Sequence, residues 1–239
     1  MIDDFHKAIE LYDIMIKANP GSYMAYEGRA SAKVNVGDYK GALEDFSKSI
    51  ELNPRYENAY MGRGAVYSNQ QQYKIAIFDF STAIQLNPEN ASAYLGRAIC
   101  NHYLKEYLAS IRDIDLYISK RGKDASSLFL RGENNKYLDN LDEAIINYDE
   151  AIEYDNTNPD YYFSRGFVKQ KVEDFNGSIA DFSKVLEINK SDTQAMLERG
   201  TSKYLSGDKE GAMKEWENAG ANGNVEGFNF MIESILKEK

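Results

Sequence analysis

One cysteine, two histidines and four prolines are all that 239 residues contain of three residue types that anchor chemistry or interrupt helices. A lone Cys100 excludes an internal disulfide and a cysteine cluster for a metal. Basic charge is also short, with 28 Lys and Arg against 38 Asp and Glu and a formal net charge of -10. A surface of that sign repels polyanions, so neither nucleic acid nor an anionic membrane is the expected partner. No stretch approaches the roughly 20 apolar residues that span a bilayer. The first residues, MIDDFHKAIELYDIMIKANP, begin acidic and space their apolar side chains, unlike a secretory signal, so a cytoplasmic location is expected.

Catalytic constellations are missing as well. His6 and His102 sit in no nucleophile motif, and there is no HExxH pair or phosphate-binding loop. Acids such as Asp142, Glu143, Asp149, Glu150, Glu153 and Asp155 read as a solvated helix face. The expectation is a protein that is not an enzyme and carries no cofactor and no metal.

What the chain has in abundance is repetition. Arginine stands at 29, 63, 97, 131, 165 and 199, thirty-four residues apart, and each is followed by Ala or Gly. With Tyr23 as position 1, position 20 is always small: Ala42, Ala76, Ser110, Ala144, Ser178 and Ala212. Position 24 is always large: Phe46, Phe80, Ile114, Tyr148, Phe182 and Trp216. Apolar residues recur at helical spacing, as in Ala42, Leu43, Phe46 and Ile50, while Gly37-Asp38 and Asn53-Pro54 mark breaks. Each repeat therefore predicts two helices, near 23–36 and 39–52 in the first. One hairpin cannot cover its own apolar face, so neighbours must stack.

This period, small residues at 8 and 20, an aromatic at 17 (Tyr39, Tyr73, Tyr107, Phe175) and proline at 32 resemble the tetratricopeptide repeat. The resemblance implies an all-α fold, a right-handed superhelical solenoid of antiparallel helix hairpins that binds proteins or peptides on its concave side. It divides the chain into a half repeat at 3–20 and full repeats at 23–56, 57–90, 91–124, 125–158, 159–192 and 193–226. The residues from 227 to 239 end a capping helix that starts near Val225 and carries Phe228, Met231, Ile232 and Ile235 on one face. The sequence departs from the family at position 32 in the last four repeats (Gly122, Asn156, Lys190, Asn224), where looser turns are expected.

Six inward arginines need partners, and position 23 of the second helix supplies an acid to five of them. The expected structural ion pairs are Arg29–Asp45, Arg63–Asp79, Arg97–Asp113, Arg165–Asp181 and Arg199–Glu215, all within one repeat. Pairing with position 23 of the preceding repeat is the poorer fit, because Arg29 would face Leu11. Arg131 faces Asn147, which can accept a hydrogen bond and carries no charge.

Positions 5, 9, 12 and 13 form the stripe that lines the groove in the family. The candidate partner-binding residues are Met61, Leu95, Ile99, His102, Tyr103, Phe129, Lys136, Tyr137, Phe163, Phe167 and Lys171, with the aromatic weight in the later repeats. Phe129, Phe163 and Phe167 are expected to share one concave wall. The family's carboxylate clamp needs Lys at position 5 and Asn at position 9, and neither occurs, so a chaperone tail is not the expected ligand. Three functions fit this reading. The first is a non-catalytic interaction scaffold or adaptor for a peptide or partner protein. The second is a targeting or regulatory segment of a larger enzyme such as a glycosyltransferase. The third is self-association through the N-terminal half repeat.

Overall fold

The computed structural model describes residues 2–227 together with 229 and 233. Of the expected cap, Val225 opens a helical turn, whereas Phe228, Met231, Ile232 and Ile235 lie outside the described residues. Thirteen helices and no strand occur among the described residues. A leading helix α1 (Ile2–Ala18) precedes six pairs. The pairs are α2 (Tyr23–Asn35) with α3 (Tyr39–Leu52), α4 (Glu57–Asn69) with α5 (Tyr73–Leu86), and α6 (Ala91–Tyr103) with α7 (Tyr107–Arg121). They continue as α8 (Ala125–Tyr137) with α9 (Leu141–Tyr154), α10 (Pro159–Lys171) with α11 (Phe175–Ile188), and α12 (Thr193–Leu205) with α13 (Lys209–Ala221). Every first helix starts thirty-four residues after the one before, from Tyr23 to Thr193, and every second helix from Tyr39 to Lys209 does the same.

The chain divides into two compact units, residues 1–122 and 123–239. Within the first unit each pair packs on itself, α1 packs on α2, and the first helices touch, α2 on α4 and α4 on α6. The second unit follows the same rule, with α8 on α10 and α10 on α12. In each unit the first helices therefore form one continuous face, and the second helices stand behind it.

Helix ends follow from local chemistry. Asp38, Asp174 and Asp208 accept the amide of the residue three further on, Gly41, Gly177 and Gly211, at 2.9, 3.0 and 2.9 Å. Between the helices of a pair, position 15 takes a positive φ. Gly37 and Gly207 meet that demand freely, whereas Gln71, Lys105, Asp139 and Glu173 hold φ between 61° and 64°. A non-glycine residue there stores roughly 1 kcal/mol of strain, which the packed helices on either side must hold in place.

Close approach comes from missing side chains. A Cβ at Gly62 would sit 2.3 Å from two atoms of the Phe46 ring, so the bare backbone lets the first repeat's core ring lie against the second repeat. Phe80 meets Gly96 of the third repeat in the same way, whereas Tyr148, Phe182 and Trp216, also buried at position 24, lie against Gly132, Gly166 and Gly200 of their own repeats. Removing each from water contributes about 1.5–3 kcal/mol, and at Phe46 and Phe80 it links one hairpin to the next.

The arginines do more than pair within a repeat. Arg63 donates from Nε to Asp79 Oδ2 at 2.9 Å and from Nη2 to Oδ1 at 2.8 Å, a bidentate fork. Its remaining nitrogen, Nη1, donates backwards to Ser47 Oγ at 3.2 Å on the preceding second helix. Position 25 repeats this backward contact: Asp13 receives Arg29, Ser81 receives Arg97, Asp149 receives Arg165 and Ser183 receives Arg199. The intrarepeat pairs with position 23 are thus present, and the preceding repeat contributes through position 25, not through position 23. The tyrosine ring three residues before Arg29, Arg63, Arg97 and Arg165 lies 5.5 to 5.9 Å from the guanidinium carbon.

Two arginines break the pattern instructively. Arg131 bonds Asn147 Oδ1 at 3.1 Å and reaches Glu150 Oε2 at 3.3 Å, so the missing charge arrives three residues further along α9. Arg199 faces Glu215, one methylene longer than aspartate, and its Nε is left buried without a hydrogen-bond partner.

Asp79 is fully buried, so Arg63→Ala strands a carboxylate and should destabilise the protein by about 3 kcal/mol or more in urea denaturation. The Arg63→Leu, Asp79→Leu double variant should lose less. A single variant as stable as wild type would show that the pair is solvated.

Candidate functional site

The candidate residues lie on the first helices, and the two units carry them differently. In the first unit the small side chains leave space. Between α2 and α4 an open cleft of about 180 Å³ is lined by Ser31, Val34 and Asn35 on one side and Ala65, Val66 and Asn69 on the other. The Phe46 ring and Gly62 form its base, so the contact that joins the two repeats also floors the cleft. Asn35 is oriented by an Nδ2 bond to the Ser31 carbonyl at 2.8 Å, and Ser31 donates to Glu27 Oε1 at 3.1 Å. Asn69 is exposed at the rim.

Further along this unit Met61 packs against the buried Tyr60 and Phe80 clusters, and Leu95 and Ile99 are half-buried. Tyr103 ends α6 and is exposed, with its ring stacked on Tyr73 at 4.9 Å and 7° between planes. His102 meets Tyr103 and Tyr107 edge-on at 5.5 and 5.9 Å.

In the second unit position 5 turns inward. Phe129 lies 5.8 Å from the buried Tyr148 ring and 4.9 Å from Tyr161. Phe163 meets Phe182 edge-on at 5.3 Å, and Leu197, one repeat later, is buried with Trp216. The structure thus differs from the expected wall of three free rings: Phe129 and Phe163 each give a face to their own repeat's core. Positions 9, 12 and 13 stay nearer to solvent. Phe167 is half-buried beneath Lys171, whose Nζ is 5.6 Å from the ring centre. Tyr137 is exposed, with Lys136 Nζ 5.1 Å above it.

Beneath these residues runs a polar link. The buried Tyr148 hydroxyl donates to Glu133 Oε1 at 2.7 Å, and Lys136 donates to Glu133 Oε2 at 2.6 Å. Burial, followed by the Glu133 charge, holds the Tyr148 phenol well above its ordinary pKa, so it stays a neutral donor. Glu133 and Lys136 neutralise each other, which leaves Lys171 as the more open cation of this face. Among the described residues no group of three or more His, Cys, Asp and Glu could hold a metal ion. None of their helices is long and apolar enough to cross a membrane.

The cleft lies on the predicted stripe but away from its aromatic residues. The cleft exists because positions 6 and 9 of the second repeat, Gly62 and Ala65, have little side chain. A search for aromatic weight passes over it. The packing predicts that Phe129→Ala and Phe163→Ala each cost about 2 kcal/mol or more of stability, as truncation of packed rings does. Tyr137→Ala should stay within about 0.5 kcal/mol of wild type. Denaturant titration of the three variants checks the ranking, and a Phe129→Ala chain as stable as wild type would contradict it.

The geometry can be set beside known proteins. A tetratricopeptide repeat model matches residues 57–90, and a second TPR repeat model matches 32–71 and 137–172. No curated protein matches the sequence. Solved structures of similar fold include a tetratricopeptide repeat protein from Parabacteroides merdae, at 19% identity and TM-score 0.67, covering 97% of this chain and 92% of that one. MamA from Desulfovibrio magneticus is similar at 18% identity and TM-score 0.68, covering 71% and 96%. Pseudomonas aeruginosa PilF is similar at 12% identity and TM-score 0.71, covering 88% and 97%. The solved structures share the fold, and the two repeat models, together with the thirty-four-residue register carried through six helix pairs, identify the chain as a tetratricopeptide repeat protein.

Proposed function

We propose that the chain is a non-catalytic scaffold that holds a segment of a partner protein along the first-helix face, with the α2–α4 cleft receiving an anchoring side chain. The observation that carries this reading is the cleft itself. Val34, Val66 and the Phe46 ring offer an apolar base, and Ser31, Asn35 and Asn69 ring it with polar groups that carry no charge. An apolar base with a few oriented polar groups suits one small aliphatic side chain on an extended backbone, whose amides and carbonyls can bond to asparagine amides. In the second unit, exposed Tyr137 and Lys171 with half-buried Phe167 add contact surface of the kind that carries recognition energy.

Ala65 is exposed on the cleft wall, so Ala65→Trp should fill the space without disturbing the core. Peptides selected from a random library against the full chain should bind the variant about tenfold or more weaker, a loss of roughly 1.4 kcal/mol. Helicity and melting temperature should be unchanged. Peptides that bind both proteins equally, or a library that yields no binder, would remove the cleft from the account.

A further inference from the structure

The outward side of a second helix packs against nothing in its own repeat, and the two units use that freedom in opposite ways. In α5, positions 19 and 22 are Ile75 and Phe78, exposed to 46% and 66%. The first, fifth and sixth repeats hold Gly41 and Glu44, Gly177 and Ala180, and Gly211 and Lys214 there, so the fold does not require apolar residues. An open concavity of about 350 Å³ lies between the start of α5, at Tyr73 to Ile75, and Leu104 just beyond the end of α6. Leu108, 60% exposed, follows Leu104 by four residues. Single exposed apolar residues are ordinary, whereas several gathered around one concavity mark a contact surface. The exposed charges on these stretches are Lys74, Lys105 and Arg112 against Glu106 and Asp115. None of the three cations is held in an ion pair among the described residues, whereas Asp115 is already engaged.

The complement stands on α9 of the other unit. This helix holds five carboxylates and no Lys or Arg. Its position 22 is Ile146, 50% exposed, and Asp142, Glu143 and Glu153 stand on the same side of the helix, four and three residues before it and seven after. Asp149 and Glu150 are taken by Arg165 and Lys123, but those three acids have no ion-pair partner among the described residues. The asymmetry extends to the whole units. Residues 1–122 carry 14 Lys and Arg against 15 Asp and Glu, and residues 123–239 carry 14 against 23. An apolar patch with open cations thus has its match, an exposed apolar side chain among open carboxylates, on another copy of the same chain.

We propose that copies of this protein associate by placing α9 of one on the Ile75, Phe78 and Leu108 patch of the next. Ile146 then meets the apolar side chains, and Asp142, Glu143 and Glu153 face Lys74, Lys105 and Arg112. The contact joins two different surfaces, so it closes into a ring or extends from copy to copy. It uses second helices alone and leaves the α2–α4 cleft free. One helix on one patch buries less than the roughly 1,200 Å² of a stable specific interface, so dissociation in the range of about 10–100 µM is expected.

Analytical ultracentrifugation of the full chain between about 1 and about 300 µM tests this. The average mass should rise with concentration from 27.1 kDa, and it should rise less in about 500 mM salt than in about 50 mM. Phe78→Asp with Leu108→Asp removes one surface, and Ile146→Asp removes the other. All three sites are exposed, so helicity should be unchanged and each variant alone should be monomeric. An equimolar mixture of the two variants should associate, since each supplies the surface the other lacks, and its mass should stop at that of two chains. A wild-type chain that stays monomeric overturns the proposal, whether or not the patch then binds vesicles of anionic lipid. A single-surface variant that associates like wild type overturns it too, as does a mixture that stays monomeric. Association indifferent to salt overturns the pairing of charges.

Discussion

Five of the six repeats place one guanidinium where second helices from two successive repeats meet, and the spacing of the helix pairs inside each unit depends on that junction. Arg63 illustrates it: two nitrogens grip Asp79 on the second helix of its own repeat, and the third reaches Ser47 on the second helix before it. The planar fork fixes both distance and orientation, which an ammonium on a flexible stem cannot do. A lone arginine buried here would cost more than it returned, and a lone aspartate likewise, so the column persists as a set. The hydrophobic contribution is larger in total, through the rings at position 24, but it is directionless. The guanidinium fork sets the register in which those rings meet bare backbone such as Gly62.

Where the fork is imperfect, the cause can be traced. In the sixth repeat Glu215 replaces aspartate, Lys203 joins it at 2.6 Å, and the Arg199 Nε is left over. Burial is the largest single influence on the Glu215 carboxyl and pushes it up, but the hydrogen bonds and charges of Arg199 and Lys203 together outweigh it and hold the group below its usual range. In the fourth repeat a neutral Asn147 is supplemented by Glu150. The junction thus tolerates changes of length and charge, provided that some oxygen meets the fork.

The helix pairs, their starts at thirty-four-residue intervals and five of the ion pairs were legible in the sequence, because period and side-chain type are one-dimensional properties. The backward half of the arginine junction was equally periodic, with Asp13, Ser47, Ser81, Asp149 and Ser183 in one column. It was missed because a serine gives no signal of charge. Side-chain direction was harder. Position 5 belongs to the groove stripe by spacing, yet Phe129 and Phe163 lean back onto Tyr148 and Phe182, since a large ring gains more by packing than by standing in water. The cleft beside Ala65 arises from absent side chains, which a search for present ones cannot register. The left-handed turns at Gln71, Lys105, Asp139 and Glu173 were hidden too, because tertiary packing imposes there a conformation for which those residues have no preference.

The shape of the guanidinium, and not its charge alone, ties one repeat to the next. Arg63→Lys separates the two, since it keeps a cation near Asp79 and removes the three-way fork. Native-state hydrogen exchange on this variant should show protection reduced by at least about tenfold, or roughly 1.4 kcal/mol, in α3, α4 and α5. The amides of α12 and α13 should be unaffected, as the nearest-neighbour coupling of a repeat array implies. Protection equal to wild type across α3 to α5 would show that charge suffices, and it would contradict the claim.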